Sequence, residues 1–247
     1  PFCAAHTINM RPVGPLVYVS GIKGTGMERL RELFEPYGIE PLAGPGRKRP
    51  HVPTELEPGA AVGVSFAQGN FDITGIGTVT YRNGDTILAF GHPMMELGSV
   101  EMPLTTAWVH DVIPSIARSN KLSSAMETVG TLTRDGTWSV GGRVGAKPHM
   151  IPARFTVTDQ DRNVTKEFEF EVARQQLLTP GLLMSVLQGS MAATFNPGGK
   201  GVGAVDFTLR GERGAEISRR DVFWHPGNPA YVTQWIDEAI MRSSSAE

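Results

Sequence analysis

One cysteine in 247 residues, Cys3, excludes an internal disulfide and any metal site built from several cysteines. Near a chain end it reads as incidental and points to no compartment. No apolar run approaches the roughly 20 residues that cross a bilayer as a helix, so no membrane-spanning segment is expected. Neither sign of charge dominates: 23 Lys and Arg stand against 25 Asp and Glu, a net charge of −2. No overall field therefore recruits nucleic acid or an anionic membrane. The histidines are His6, His51, His92, His110, His149 and His225. They are scattered, with no His-Glu-x-x-His and no paired ligands at a fixed offset, so no metal and no cofactor is expected. Gly21–Gly26 reads Gly-x-x-Gly-x-Gly rather than the dinucleotide fingerprint, and no Gly-Lys-Ser/Thr follows. A helix start explains it better than a phosphate loop. There is no signal peptide and no initiating methionine, so the chain from Pro1 is expected to be a piece of something longer.

What is abundant is glycine and proline, 29 and 18 residues, which favours many turns and a mainly β (α+β) fold. Pro15–Ser20 reads as a strand. Met27, Leu30, Leu33 and Phe34 then recur at helical spacing. Thr25 with Glu28 fits a capping box, and Pro36 and Gly38 end the helix. The Pro/Gly-rich stretch Pro41–Pro53, with Arg47-Lys48-Arg49, reads as a surface linker. Residues 1–54 thus form an N-terminal strand–helix appendage with its linker, and residues 55–247 a β-rich domain.

Within that domain Ala61–Phe66 and Glu101–Ile113 read as extended. Thr128–Thr133 and Thr137–Val144 flank Arg134-Asp135-Gly136 as one hairpin; Ile151–Thr158 and Val164–Val172 make another. In the last of these Phe168, Phe170 and Val172 alternate with Glu167, Glu169 and Glu171, one face buried and one wet. Thr179 and Pro180 look like N-cap and first position of a helix to about Ala193. Ala204–Arg210 reads as a strand. Asn228 and Pro229 open a C-terminal helix with Val232, Trp235, Ile236, Ala239 and Ile240 on its apolar stripe.

The most informative segment is Ile76–Tyr81, Asn83-Gly84, Thr86–Phe90 and Gly91-His92-Pro93. Asn-Gly between apolar runs predicts a hairpin with a type I′ turn, whose two central residues need positive φ. The second strand delivers His92 just before a proline that cannot continue the ladder. An imidazole held at a strand end is well placed for proton transfer.

Gly75, Ile76, Gly77, Thr78, Val79, Thr80, then Ala89, Phe90, Gly91 and His92, resemble the SpoIVB peptidase family of serine peptidases. A second block, Val129-Gly130-Thr131-Leu132 with Ile151–Arg154 and Lys166–Val172, agrees in order and spacing, so the likeness runs over about residues 73–172. The resemblance implies a trypsin-like β-barrel or β-sandwich core, His92 as general base, a protein or peptide substrate and an extracytoplasmic (periplasmic or secreted) setting. The family's Gly-Met-Ser-Gly-Ser-Pro segment and the aspartate before it are missing from these residues. The nucleophile and its acid are therefore expected upstream of Pro1, making that upstream segment the chain's partner. Alone, the chain is expected to be inactive. The alternative is a non-catalytic peptidase-like module that binds protein or scaffolds an envelope protein.

Local substitutes for the missing groups are weak. Asp111 and Asp135 read as turn or surface residues. Ser190 shares a helical face with Leu183, Leu187 and Thr194 and is expected to bond a carbonyl one turn back. Ser99 has no glycine-rich elbow beside it.

Overall fold

The computed structural model describes residues 15–45, 55–114, 119–195, 200–211 and 214–225. Cys3, His6, Arg47–Arg49, His51 and the expected C-terminal helix lie outside them. The fold is mainly β, with strands β1 (Leu16–Ser20), β2 (Glu40–Ala43), β3 (Ala61–Gly69), β4 (Asp72–Asn83), β5 (Thr86–Ala89), β6 (Gly98–Ile113) and β7 (Asn120–Asp135). These are followed by β8 (Val140–Val144), β9 (Met150–Asp159), β10 (Val164–Ala173), β11 (Gly201–Arg210) and β12 (Glu216–His225). The helices are α1 (Thr25–Phe34) and α2 (Thr179–Thr194), with a 3-10 turn at Glu35–Tyr37. Among the described residues no helix is long and apolar enough to cross a membrane.

The chain forms two compact units. The first comprises Pro1–Ser20, Arg31–Ser65 and Ile73–Pro148. Its strands run in the order β2-β1-β4-β5-β8-β7-β6-β3, and β3 also pairs with β4, so the strands from β4 round to β3 pair in a closed cycle. Pairing is antiparallel at β4–β5, β5–β8, β8–β7, β7–β6 and β6–β3, whereas β1 and β2 are parallel. Val17, Val62, Val64, Ile73, Ile87, Leu104, Leu132 and Val140 fill its interior. Pro41–Ala43, expected in the linker, instead belong with Glu40 to a strand beside β1, because α1 supplies the crossover a parallel pair needs.

The second unit comprises Gly21–Leu30, Phe66–Asp72 and His149–Glu247. Here β10 pairs with β9 and with the end of β3. Phe71 stacks on Phe168 and meets Phe170 edge-on, so the inward residues of the Glu-rich strand bury as their alternation predicts. A β-carbon on Gly26 would meet the carbonyl oxygen of Ser185 at 2.5 Å and the nitrogen of Gly189 at 2.7 Å. Only glycine lets the start of α1 lie on α2 this closely.

Several local expectations need correction. The turn after β4 is Gly84-Asp85, flanked by the pair Asn83↔Thr86, and of the two only Gly84 has positive φ, +57°. That is the II′ pattern, glycine first, not an Asn-Gly I′ turn. The capping box does not form: Glu28 N–H donates to the carbonyl of Gly24, which makes Gly24 the N-cap, and the Thr25 hydroxyl is buried without a partner. At α2 the N-cap is Leu178, with Pro180 in the first turn. Thr179 instead accepts the Gln175 N–H and donates to main-chain carbonyls, closing the turn before the helix. Gly38, with φ +65°, does end the first helical segment.

Candidate active site around His92

Gly75 and Gly77 lie on one face of β4 because strand side chains alternate. A β-carbon at Gly75 would meet the Met94 methyl at 2.7 Å, and one at Gly77 would strike the Phe90 ring at 2.6 Å. The spaced glycines thus make a floor for the residues flanking His92. Phe90 N–H still donates to the Thr78 carbonyl at 2.9 Å, but Phe90 and Gly91 both take positive φ, +71° and +72°. For an aromatic residue this is a strained conformation, of the kind that concentrates at functional sites. It ends β5 and turns His92 out of the ladder. The Phe90 and His92 rings meet edge-on at a centroid distance of 5.8 Å.

His92 is half-buried, and its Nδ1 lies 2.7 Å from the carbonyl oxygen of Pro93. A carbonyl only accepts, so the hydrogen bond requires the proton on Nδ1. Nε2 then carries the lone pair, which is the arrangement a general base needs.

The segment after His92 is tied down by Asp135. The Asp135 carboxylate accepts the amides of Met94 at 2.8 Å (Oδ1), Met95 at 2.8 Å (Oδ2) and Leu97 at 3.3 Å (Oδ2). Asp135 is 2% exposed, so the expectation of a turn or surface residue fails. A register shift between Leu132 and Arg134 in the β7–β8 ladder explains why. One extra residue on β7 reverses the alternation beyond it, carrying Asp135 inward from a position a regular strand would leave wet.

Ser190, Ser99 and Asp111, weighed above as local substitutes, have other surroundings. Ser190 is fully buried and donates to the Val186 carbonyl at 2.8 Å, as its helical position predicts. Ser99 is exposed on β6 opposite Arg134. Asp111 is exposed and accepts the N–H of Val112 next to it. A pair the sequence analysis did not anticipate joins His110 Nε2 to Ser124 Oγ at 2.9 Å. The Ser124 hydroxyl donates to the Pro45 carbonyl at 3.0 Å, so it accepts from His110 rather than surrendering a proton to it. That polarity is the reverse of an activated nucleophile.

A second unanticipated pair is Lys121 Nζ, which donates to Thr78 Oγ1 at 2.6 Å while its own main-chain carbonyl accepts the Tyr18 hydroxyl. Burial lowers the Lys121 ammonium from its ordinary range and raises the Tyr18 phenol. Sequence spacing carries no signal for this pair, whose members are 43 positions apart. Among the described residues no cluster of three or more His, Cys, Asp or Glu could hold a metal. No protein-family model, curated protein or solved structure matches this chain.

Proposed function

We propose that this chain is the histidine-bearing part of a SpoIVB-like serine peptidase, with His92 as general base and the nucleophilic serine on a segment upstream of Pro1. The observation that carries the reading is the state of His92: half-buried at a strained strand end, with Nδ1 committed to the Pro93 carbonyl and Nε2 left to take a proton. The closed cycle of strands from β4 to β3 supports a trypsin-like barrel as its frame. In the catalytic cycle Nε2 would take the serine hydroxyl proton during attack on the peptide carbonyl and return it to the leaving amine. A protein or peptide substrate and an extracytoplasmic setting belong to the same reading.

Fluorophosphonate labelling tests it, on this chain alone and co-expressed with the residues preceding Pro1. Labelling only in the second case, lost in His92→Ala, is the expected result. Labelling of the chain alone would overturn the split site.

A second reading, a non-catalytic peptidase-like module that binds protein, is favoured by Trp138. This residue is 85% exposed on the turn following Asp135, and exposed tryptophans are typical anchors of protein interfaces. Folded samples that never label, with or without the upstream segment, would put this reading first.

A further inference from the structure

We infer that Asp135 is a positioning residue for His92 and acts on it through a single peptide group. The inference rests on the reading of His92 as a base. His92 Nδ1–H donates to the Pro93 carbonyl at 2.7 Å, and the N–H at the other end of that same peptide, Met94 N–H, donates to Asp135 Oδ1 at 2.8 Å. Carboxylate, peptide and imidazole therefore form one continuous hydrogen-bonded chain.

Two physical consequences follow. The peptide unit is planar, so fixing its N–H also fixes the direction of its carbonyl. The Asp135 carboxylate does that fixing from a buried position, with Oδ2 braced by Met95 N–H at 2.8 Å and Leu97 N–H at 3.3 Å. Hydrogen bonds at the two ends of a peptide also polarise each other in a low-dielectric interior. The carboxylate thus makes the Pro93 oxygen a better acceptor for the imidazole N–H, and more so once the ring is an imidazolium.

In a serine-peptidase triad the carboxylate touches the imidazole and holds its tautomer. Asp135 holds the same tautomer with the Pro93–Met94 peptide standing between. It would do through a peptide part of what the resemblance expects of an acid upstream of Pro1. The edge-on Phe90 ring, seated on Gly77, supplies a second restraint on the imidazole.

The test is the tautomer of His92, read by long-range proton–nitrogen NMR on the full 247-residue chain. Spectra are taken at about pH 8.5, two units above the ordinary imidazole value. His92→Gln identifies the signal by its loss. In the wild type His92 is expected to be predominantly the Nδ1–H tautomer. In Asp135→Asn, shown to be folded by circular dichroism, the Nε2–H form is expected to gain at its expense. A purely structural role for Asp135 would not move that equilibrium.

Should Asp135→Asn fail to fold, a wild-type measurement still decides the matter. A scalar coupling across the hydrogen bond from the Met94 amide to the Asp135 carboxyl carbon is expected together with the Nδ1–H tautomer. A predominantly Nε2–H ring in the wild type, or an unchanged tautomer in folded Asp135→Asn, overturns the inference. With the upstream segment present, Asp135→Asn should also slow fluorophosphonate labelling about 10²-fold, the scale of a misplaced catalytic group. Wild-type protein that never labels removes the peptidase reading but leaves the tautomer result standing, so the two failures are distinguishable.

Discussion

Asp135→Ala would leave three amide N–H groups, those of Met94, Met95 and Leu97, without their acceptor. The Met94 and Met95 donors are buried and that of Leu97 half-buried. Each orphaned buried donor costs about 1–3 kcal/mol, so a loss of at least about 2 kcal/mol is expected in urea unfolding. A loss below about 1 kcal/mol would show that water replaces the carboxylate without penalty. Lys121 and Tyr18 give a pH prediction whose signs oppose. Because burial lowers Lys121 from 10.5, keeping its ammonium charged in the folded protein costs stability. In the window below 10.5 the unfolded chain binds more protons, so this cost is relieved as pH rises. Tyr18 is raised from 10.0, so above pH 10 the unfolded chain ionises first and stability falls. In Tyr18→Phe the alkaline fall should shrink, and in Lys121→Met the rise on approaching 10.5 should flatten. Denaturant unfolding across that range checks both, and an unaltered slope in Lys121→Met would mean the ammonium is solvated. At this scale His92 was legible as a strand-end imidazole. Asp135 was not, because Arg-Asp-Gly reads as a turn and the bulge that turns its carboxylate inward belongs to the pairing of β7 with β8.

Elements were read well wherever alternation or spacing was strong. β10 buries Phe168, Phe170 and Val172, and the hairpin of β4 and β5 ends beside His92. The first half of β7 was missed, since Lys121–Glu127 carries few of the β-branched and aromatic residues that mark strands. Pairing with β6, from Ile113↔Asn120 onward, makes it a strand all the same. β12 was missed too, its Glu216–Asp221 half being dominated by charge. Turn type was misread by one residue, because Asn-Gly fits a hairpin loop in two frames and only the register Asn83↔Thr86 selects one. The contact of α1 with α2 yields a prediction. Gly26→Ala drives a methyl group into the Ser185 carbonyl and the Gly189 nitrogen, both main-chain atoms. It should cost about 1–3 kcal/mol by overpacking, measured as a lowered denaturation midpoint. Gly84→Ala meets no neighbour within 4 Å and suffers only its φ of +57°, about 1–2 kcal/mol. An undiminished midpoint in Gly26→Ala would mean the helices can separate freely.

Across the whole chain, stability should be uneven. Among the described residues β11 and β12 pair only with each other, and Val202, Val222 and Trp224 are exposed on the ribbon. A two-stranded ribbon is marginal without a packed face. Its amides should exchange with deuterium faster than those flanking the buried Val79 and Ile87 on β4 and β5. Equal protection in the two places would show that the ribbon is covered in solution. The sequence by itself determined the mainly β class, the helices that begin near Thr25 and near Thr179, the β4–β5 hairpin and the delivery of His92 at its end. These rest on periodicity and turn chemistry, which act over a few residues. Tertiary structure alone decided that β3 pairs with both β4 and β6, that β7 bulges before Asp135, and that Asp135 grips the peptide on which His92 leans. Those outcomes depend on the register between strands distant in sequence, and no local run of residues encodes a register.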